Sequence, residues 1–126
     1  MKIVIFGSRN FNNYFLLKNT IEETEAFKQN QITAIISGAA KGADKLGERW
    51  AIETNTPIIS MPAEWDKYGK RAGYLRNKQM AQKADAAIGF WDGKSVGTRH
   101  MINICKNLNL PIIIYREDLN TFICEN

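Results

Sequence analysis

At 126 residues, 44% apolar and 24% charged, the chain has the length and composition of one soluble globular domain able to build a core without staples. The expectation is a single domain spanning residues 1–126, its core at about residues 2–115, with a short tail at 116–126 and no room for a second catalytic domain. Cys105 and Cys124 lie far apart with no CxxC and His100 is the only histidine, so neither a zinc site nor a Cys–His or Ser–His pair has its parts. Both cysteines are expected to be reduced and partly buried. No apolar run approaches a membrane span, which leads to an expected cytoplasmic location with no membrane partner.

The net charge of +4 is unevenly placed. Between Glu64 and Lys83, six basic residues (Lys67, Lys70, Arg71, Arg76, Lys78, Lys83) face two acidic ones (Glu64, Asp66), so this window alone carries the excess. A local basic segment in a balanced chain suits a compact phosphate-bearing ligand, or a short single strand, better than a long nucleic-acid track. A solvated helix face is the alternative.

Lys2–Phe6 reads as a strand buried on both faces, followed by Gly7-Ser8-Arg9, where a hydroxyl and a guanidinium can meet phosphate or a base edge. Arg9 could equally pair with a carboxylate across a crevice. Asn10–Asn13 is a turn, and Phe15, Leu16, Ile21 and Phe27 give a helix running through Lys28, with Phe11 and Tyr14 packing at its entry. The β-branched run Ile32–Ile36 leads into Ser37-Gly38-Ala39-Ala40-Lys41-Gly42-Ala43-Asp44 and then a helix over Lys45–Thr54. Small residues between strand and helix let an anion approach the backbone amides, and they equally let a helix pack closely on a sheet. The spacing matches neither a dinucleotide fingerprint nor an ATPase P-loop.

Asn55-Thr56-Pro57 stops that helix, and Ile58–Met61 is a third strand. Pro62–Gly73 is a long connection rich in glycine, aromatic and charged residues, carrying Glu64, Trp65, Lys70 and Arg71. Tyr74–Lys83 is a helix with Leu75, Met80 and Ala81 on its packed side and Arg76-Asn77 near the crevice mouth. Asp85–Trp91 is the fourth strand, and Asp92–Thr98, with Gly93, Gly97 and Thr98, is a second small-residue loop before a helix packed by Met101, Ile102, Cys105 and Leu108. Leu110–Tyr115 is the fifth strand. The tail Glu117–Asn126 either adds an edge strand at Thr121–Cys124 or frays.

Strictly alternating strands and helices imply an α/β fold, a five-stranded parallel sheet with helices on both faces. The loops after Phe6, Ile36, Met61 and Trp91 then share the carboxyl side of the sheet and surround one crevice at the switch point.

The ordered set Gly7-Ser8-Arg9, Ser37–Asp44, Pro62-Ala63-Glu64-Trp65, Gly69–Gly73, Arg76-Asn77 and Gly93-x-x-x-Gly97-Thr98 resembles the SLOG superfamily, in particular its small YspA-like stand-alone branch. The resemblance runs from about Lys2 to Tyr115. It implies a Rossmann-like three-layer sandwich and a nucleotide or nucleotide-derived ligand, with no further cofactor and no metal. The superfamily includes the LOG phosphoribohydrolases and the DNA-processing protein DprA. The LOG motif Arg-Lys-x-x-Met, whose arginine is catalytic, is similar to Arg76-Asn77-Lys78-Gln79-Met80, and the LOG loop Pro-Gly-Gly-x-Gly-Thr-x-x-Glu is similar to Asp92–Met101 with one extra residue. The LOG glutamate falls on Met101, whose thioether cannot exchange a proton.

The leading expectation is therefore a binding module. Phosphate would meet the amides of Gly38–Gly42 and Gly97–Arg99, with Arg76, Lys70 and Arg71 neutralising charge. Ser8, Arg9 and Asp44 would meet sugar or base, and Trp65 would stack or pack. A second expectation is a nucleotide N-glycosidase, with Arg76 and a carboxylate recruited from Glu64, Asp44 or Asp92, Glu64 first. A third is single-strand nucleic-acid binding as in DprA, using the basic window with Trp65, Tyr68 and Tyr74. The resemblance to LOG enzymes also implies self-association into homo-oligomers.

Overall fold

A computed structural model describes residues 1–125, with side chains through Ile123. Its elements are β1 (Lys2–Gly7), α1 (Tyr14–Glu22), α2 (Glu25–Lys28), β2 (Ala34–Ser37), α3 (Ala43–Glu53), β3 (Ile58–Ser60), α4 (Trp65–Tyr68), a 3-10 turn (Gly69–Arg71), α5 (Ala72–Lys83), β4 (Ala86–Trp91), α6 (Val96–Asn107), β5 (Ile112–Arg116) and β6 (Thr121–Glu125). The sheet order is β3-β2-β1-β4-β5-β6, with β1 to β5 parallel and β6 antiparallel to β5. Chain order reverses between β1 and β4, so the crevice of a doubly wound sheet opens above their carboxyl ends.

Strand alternation sends side chains to two cores. Ile3, Ile5, Ile35, Ile88 and Phe90 pack with Leu17, Ile21, Trp50 and Ala51 of α1 and α3. Val4, Phe6, Ile36, Ala87, Ile112 and Ile114 pack with Met80, Ala81, Met101, Ile102 and Cys105 of α5 and α6. This is the expected arrangement of helix, sheet and helix in three layers. Phe11 stacks on Phe90 with ring centroids 4.6 Å apart, and Tyr14 is buried beside it, so both rings set the entry of α1.

Several expectations are corrected. The sheet has six strands among the described residues, because the turn Glu117–Asn120, with Asn120 in the left-handed region at φ 48° and accepting from the Tyr115 hydroxyl at 2.8 Å, returns the tail against β5. The first helix breaks in two: the Thr24 hydroxyl donates to the Ile21 carbonyl and accepts from the Phe27 amide, capping α2 and ending α1. Phe15, expected on the packed side, is 71% exposed, and Leu75 and Leu108 are also exposed. The long connection is not a bare loop, since it winds into α4 and the 3-10 turn. Cys105 is a free thiol, fully buried, and burial pushes its pKa up to about 11. The side chain of Cys124 lies outside the described residues. No helix among the described residues is long and apolar enough to cross a membrane.

Helix α3 lies directly on β1 at Gly47, where an added Cβ would sit 2.8 Å from the Ile5 Cβ. The backbone approach, not helix preference, selects glycine here. Gly47→Ala gains helix propensity, yet it is expected to lower unfolding stability by about 1–3 kcal/mol in a urea titration, because neither α3 nor the central strand can retreat.

Candidate functional site

The end of β1 is held by Ser8. Its amide donates to the Phe90 carbonyl at 2.9 Å, its carbonyl accepts from Phe11 and Ala43, and its hydroxyl accepts from the Asp92 amide at 3.0 Å. Ser8 is 1% exposed, so the hydroxyl expected to meet a ligand is engaged inside the protein. Gly42 caps α3 at φ 83°, and an added Cβ there would run into the Ser8 carbonyl and the Arg9 backbone. Position 42 needs glycine both for its dihedral angle and for this approach.

The small-residue loop after β2 is folded around its own side chains. The Ala39 amide donates to Ser37 Oγ at 3.0 Å and the Ala40 amide to Asp44 Oδ2 at 3.2 Å, while the Ser37 hydroxyl donates to Glu48 at 2.6 Å. Ser37 is fully buried. Two of the amides expected to hold phosphate are therefore already satisfied, which corrects the simple anion-loop picture. Gly38 has a different constraint: a Cβ would lie 2.5 Å from Arg76 Nη1 and 2.8 Å from Asp44 Oδ2, so these two side chains close over it.

Arg76 reaches across from α5. Its Nη1 donates to the Gly38 carbonyl at 2.6 Å and its Nε to Asn77 Oδ1 at 3.0 Å. Burial lowers its pKa, the Asp44 carboxylate opposes that shift, and Arg9 adds to it. Asp44 is 4% exposed, and burial pushes its pKa up to about 6 against the pull of the Ala40 amide and Arg76. Buried Asn77 spends its amide hydrogens on the Gly97 carbonyl and His100 Nδ1, each at 3.3 Å.

Two adjoining cavities, of about 240 and 500 Å³, share Arg9, Ala40, Trp65 and Arg76 in their walls. All four loops contribute, as the topology requires. The floor of the first is Phe6, Met80 and Met101, its one carboxylate is Asp44, and Lys70, Tyr74, Asn77, Gly97 and Thr98 complete its rim. The second runs along Gly38–Lys41 to Pro62 and Ala63. Gly97 sits in the first turn of α6, whose Ser95 cap takes the Thr98 amide, leaving the amides of Val96 and Gly97 without a carbonyl four residues back. Arg9 is exposed and makes no hydrogen bond or ion pair among the described residues. Trp65 packs on Gly73 while 49% exposed, so it serves as wall and anchor together.

Other expected residues fall elsewhere. Glu64 and Arg71 are exposed and outside both cavity walls. Asp92 spends Oδ1 on the Lys94 and Ser95 amides, each at 2.8 Å, and these bonds hold its carboxyl below the usual range. Gly93 abuts the Arg116–Asp118 pair, and Arg99 lies over Trp91, away from the cavities. Of the three candidate carboxylates, the cavity holds Asp44. His100 carries no local motif that marks it, because its contact with Asn77 joins α6 to α5 across 23 residues. No group of three or more His, Cys, Asp or Glu residues suited to a metal ion occurs among the described residues.

The shift at Asp44 has a defined consequence for stability. The folded protein keeps this proton up to about pH 6, whereas the unfolded chain releases it near the ordinary aspartate value of 3.8. The native state binds more protons between these values, so this contribution is fully present below the lower one and is lost as pH rises through the higher. Relative to Asp44→Asn, which keeps an acceptor for the Ala40 amide, the wild type is expected to lose about 3 kcal/mol across that window in urea unfolding. A constant difference would show that Asp44 is not desolvated.

The family model for YspA, cpYpsA-related SLOG proteins (YAcAr) matches residues 1–68. The Gene 61 protein of Mycobacterium phage D29 is 31% identical over 119 residues, covering 89% of this chain and 94% of that protein. Among solved structures, DNA processing protein A from Helicobacter pylori, described for its single-stranded DNA binding mode, superposes with a TM-score of 0.67 at 21% identity, over 95% of this chain and 67% of that one. That likeness establishes a Rossmann-like fold. With the match of the family model over more than half of its length and the phage relative along most of it, the chain belongs to the YspA, cpYpsA-related SLOG family.

Proposed function

We propose that the crevice binds the phosphate-bearing part of a nucleotide or nucleotide-derived ligand and holds it without cleaving it. The observation that carries this reading is the convergence of Arg9, Arg76, Lys70 and the α6 N-terminus on adjoining cavities that contain one carboxylate. An excess of fixed cations with open donors is matched by an anion. The two cavities together fall within the roughly 300–1,000 Å³ usual for small-molecule sites. Trp65 and Tyr74 offer faces to a base.

Met101 supports holding over cleaving. It occupies the floor where LOG-like chemistry would need a carboxylate, and its thioether can neither move a proton nor stabilise an oxocarbenium charge. An N-glycosidase reading would rest on Asp44, since Glu64 stands outside the walls.

A second reading has its own observation. Trp65, Tyr68 and Tyr74 are exposed along α4 and α5 beside Lys67, Lys70 and Arg71, the pairing of aromatic faces and cations that sequence-tolerant single-strand binders use. The structural neighbour's binding of single-stranded DNA supports this partner class. One nucleotide of a strand would then occupy the crevice while the strand crosses the rim.

Incubation with a panel of mononucleotides, NAD-derived species and a short oligonucleotide, followed by ultrafiltration and mass spectrometry, separates these readings. A retained intact mononucleotide supports the first. Retention of the oligonucleotide alone, salt-sensitive and lost in a Lys70→Ala/Arg71→Ala variant, supports the second. Released base and sugar phosphate overturns the non-cleaving proposal. Arg9→Ala is expected to weaken ligand binding about tenfold or more with little change in unfolding stability, because Arg9 has no internal partner to lose.

A further inference from the structure

We infer that His100 is a positioning residue for the anion-binding arginine, acting through Asn77 on Arg76; the inference rests on Arg76 being an anion ligand of the crevice, as proposed above. His100 itself is outside the walls of both cavities. Its effect runs through a chain of side-chain contacts from α6 to α5.

The chain has one consistent polarity. Arg76 Nε can only donate, so Asn77 must turn its carbonyl Oδ1 toward it, as it does at 3.0 Å. This sends the Asn77 amide nitrogen toward the Gly97 carbonyl and His100 Nδ1, each at 3.3 Å, and both must accept. The imidazole accepts at Nδ1 only when neutral with its proton on Nε2. With Nε so fixed, the guanidinium turns Nη1 to the Gly38 carbonyl at 2.6 Å and stays in the wall shared by both cavities.

A proton on His100 Nδ1 reverses the chain. Two donors then face each other, and Asn77 relieves the clash only by rotating its amide, which sets its nitrogen against Arg76 Nε. Arg76 loses its anchor on its own helix, keeps only its bond to the Gly38 carbonyl, and is held less firmly in the crevice wall. The groups facing His100 are few: from α5, Tyr74, whose ring centroid lies 4.3 Å away, and Asn77, and on its own helix the Gly97 carbonyl that shares the Asn77 amide. No charged side chain among the described residues contributes to its titration, and burial favours the neutral ring.

The test uses the whole chain and two readouts. The first needs no ligand: the Arg76 Nε–H resonance, assigned with Arg76→Lys, followed by NMR from about pH 8 to about pH 5. The second is sulfate binding over the same range, where the probe keeps its charge. In the wild type the Arg76 resonance is expected to move with His100 ionisation. In His100→Leu, which removes one of the two acceptors that orient the Asn77 amide and leaves the Gly97 carbonyl, it is expected to shift from the neutral wild-type position and to show no step with pH from this site, with sulfate bound about fivefold more weakly. His100→Gln, whose side-chain oxygen accepts but does not titrate, is expected to restore both and to remove the His100-linked step. Asp44 titrates in all three proteins, so the wild-type minus His100→Gln difference isolates the histidine.

An Arg76 resonance unchanged in His100→Leu overturns the inference whatever sulfate does. A resonance that moves while sulfate binding stays the same in all three proteins overturns Arg76 as the anion ligand and leaves the positioning chain standing. Failure of His100→Gln to restore the resonance overturns the hydrogen-bond route.

Discussion

The junction at Ser8 is the constraint on which the site depends. Through one amide, one carbonyl and one hydroxyl, this buried residue joins the ends of β1 and β4, the entry to α1 and the start of α3. At the switch point of a doubly wound sheet, two adjacent strands send their chains to opposite sides, and the gap between them would otherwise fill with water and mobile loop. Ser8 closes the base of that gap with directional bonds. Gly42 must then be glycine, since the α3 N-terminus approaches the Ser8 carbonyl too closely for a Cβ.

Above this joint the electrostatics divide into a satisfied layer and an open one. Ser37, Asp44 and Glu48 absorb hydrogen bonds within the loop after β2, so that loop is a scaffold more than a phosphate cradle. Asp44 is buried beside Arg76 at a cost in desolvation that a shape-matched apolar residue would avoid. Its burial there fits a pair that serves the crevice. Arg9, the exposed α6 amides and Lys70 form the open layer, where fixed positive charge lacks an internal counterpart. An anion entering there would meet the α6 amides already in position, while the exposed Arg9 and Lys70 side chains would have to be ordered onto it.

The floor gives the site a second character. Phe6, Met80 and Met101 belong to the core beneath α5 and α6, so the crevice bottoms out on packed apolar side chains. A carboxylate at position 101 would be buried, as Met101 is at 1% exposure, and its desolvation would be costly unless a cation of the cavity wall paired with it. Methionine therefore suits the packing as well as it removes proton transfer. The well-packed floor and the lack of a proton-transferring group at this position follow from the same side chain.

The alternation of β-branched runs with helical periodicities determined the α/β class, the strand-to-helix order and the convergence of four loops, because handed crossovers leave few ways to arrange such elements. Gly7, Gly38 and Gly42 lie at or just after the carboxyl ends of β1 and β2 for the same reason, and Arg76 reaches the same crevice from α5. What needed tertiary structure was every contact between chemically silent neighbours. Thr24 broke a helix that its apolar spacing continued, since a hydroxyl cap competes with helical hydrogen bonding. Of the two outcomes open for the tail, an edge strand or fraying, the edge strand is the one formed, as β6, through a turn in which the Tyr115 hydroxyl donates to Asn120. Ser8 and Ser37 were drawn inward because buried amides at loop junctions must find acceptors, and Asp92 spends its carboxylate on the amides of its own loop. Glu64, Arg71, Gly93 and Arg99 share loops or helix starts with crevice residues yet fall outside the walls, because neighbours in a helical turn point about 100° apart and a loop turns only one side to the crevice. Composition and spacing determine which elements form and where their loops gather, whereas the direction of each side chain is decided by which buried polar group it must satisfy.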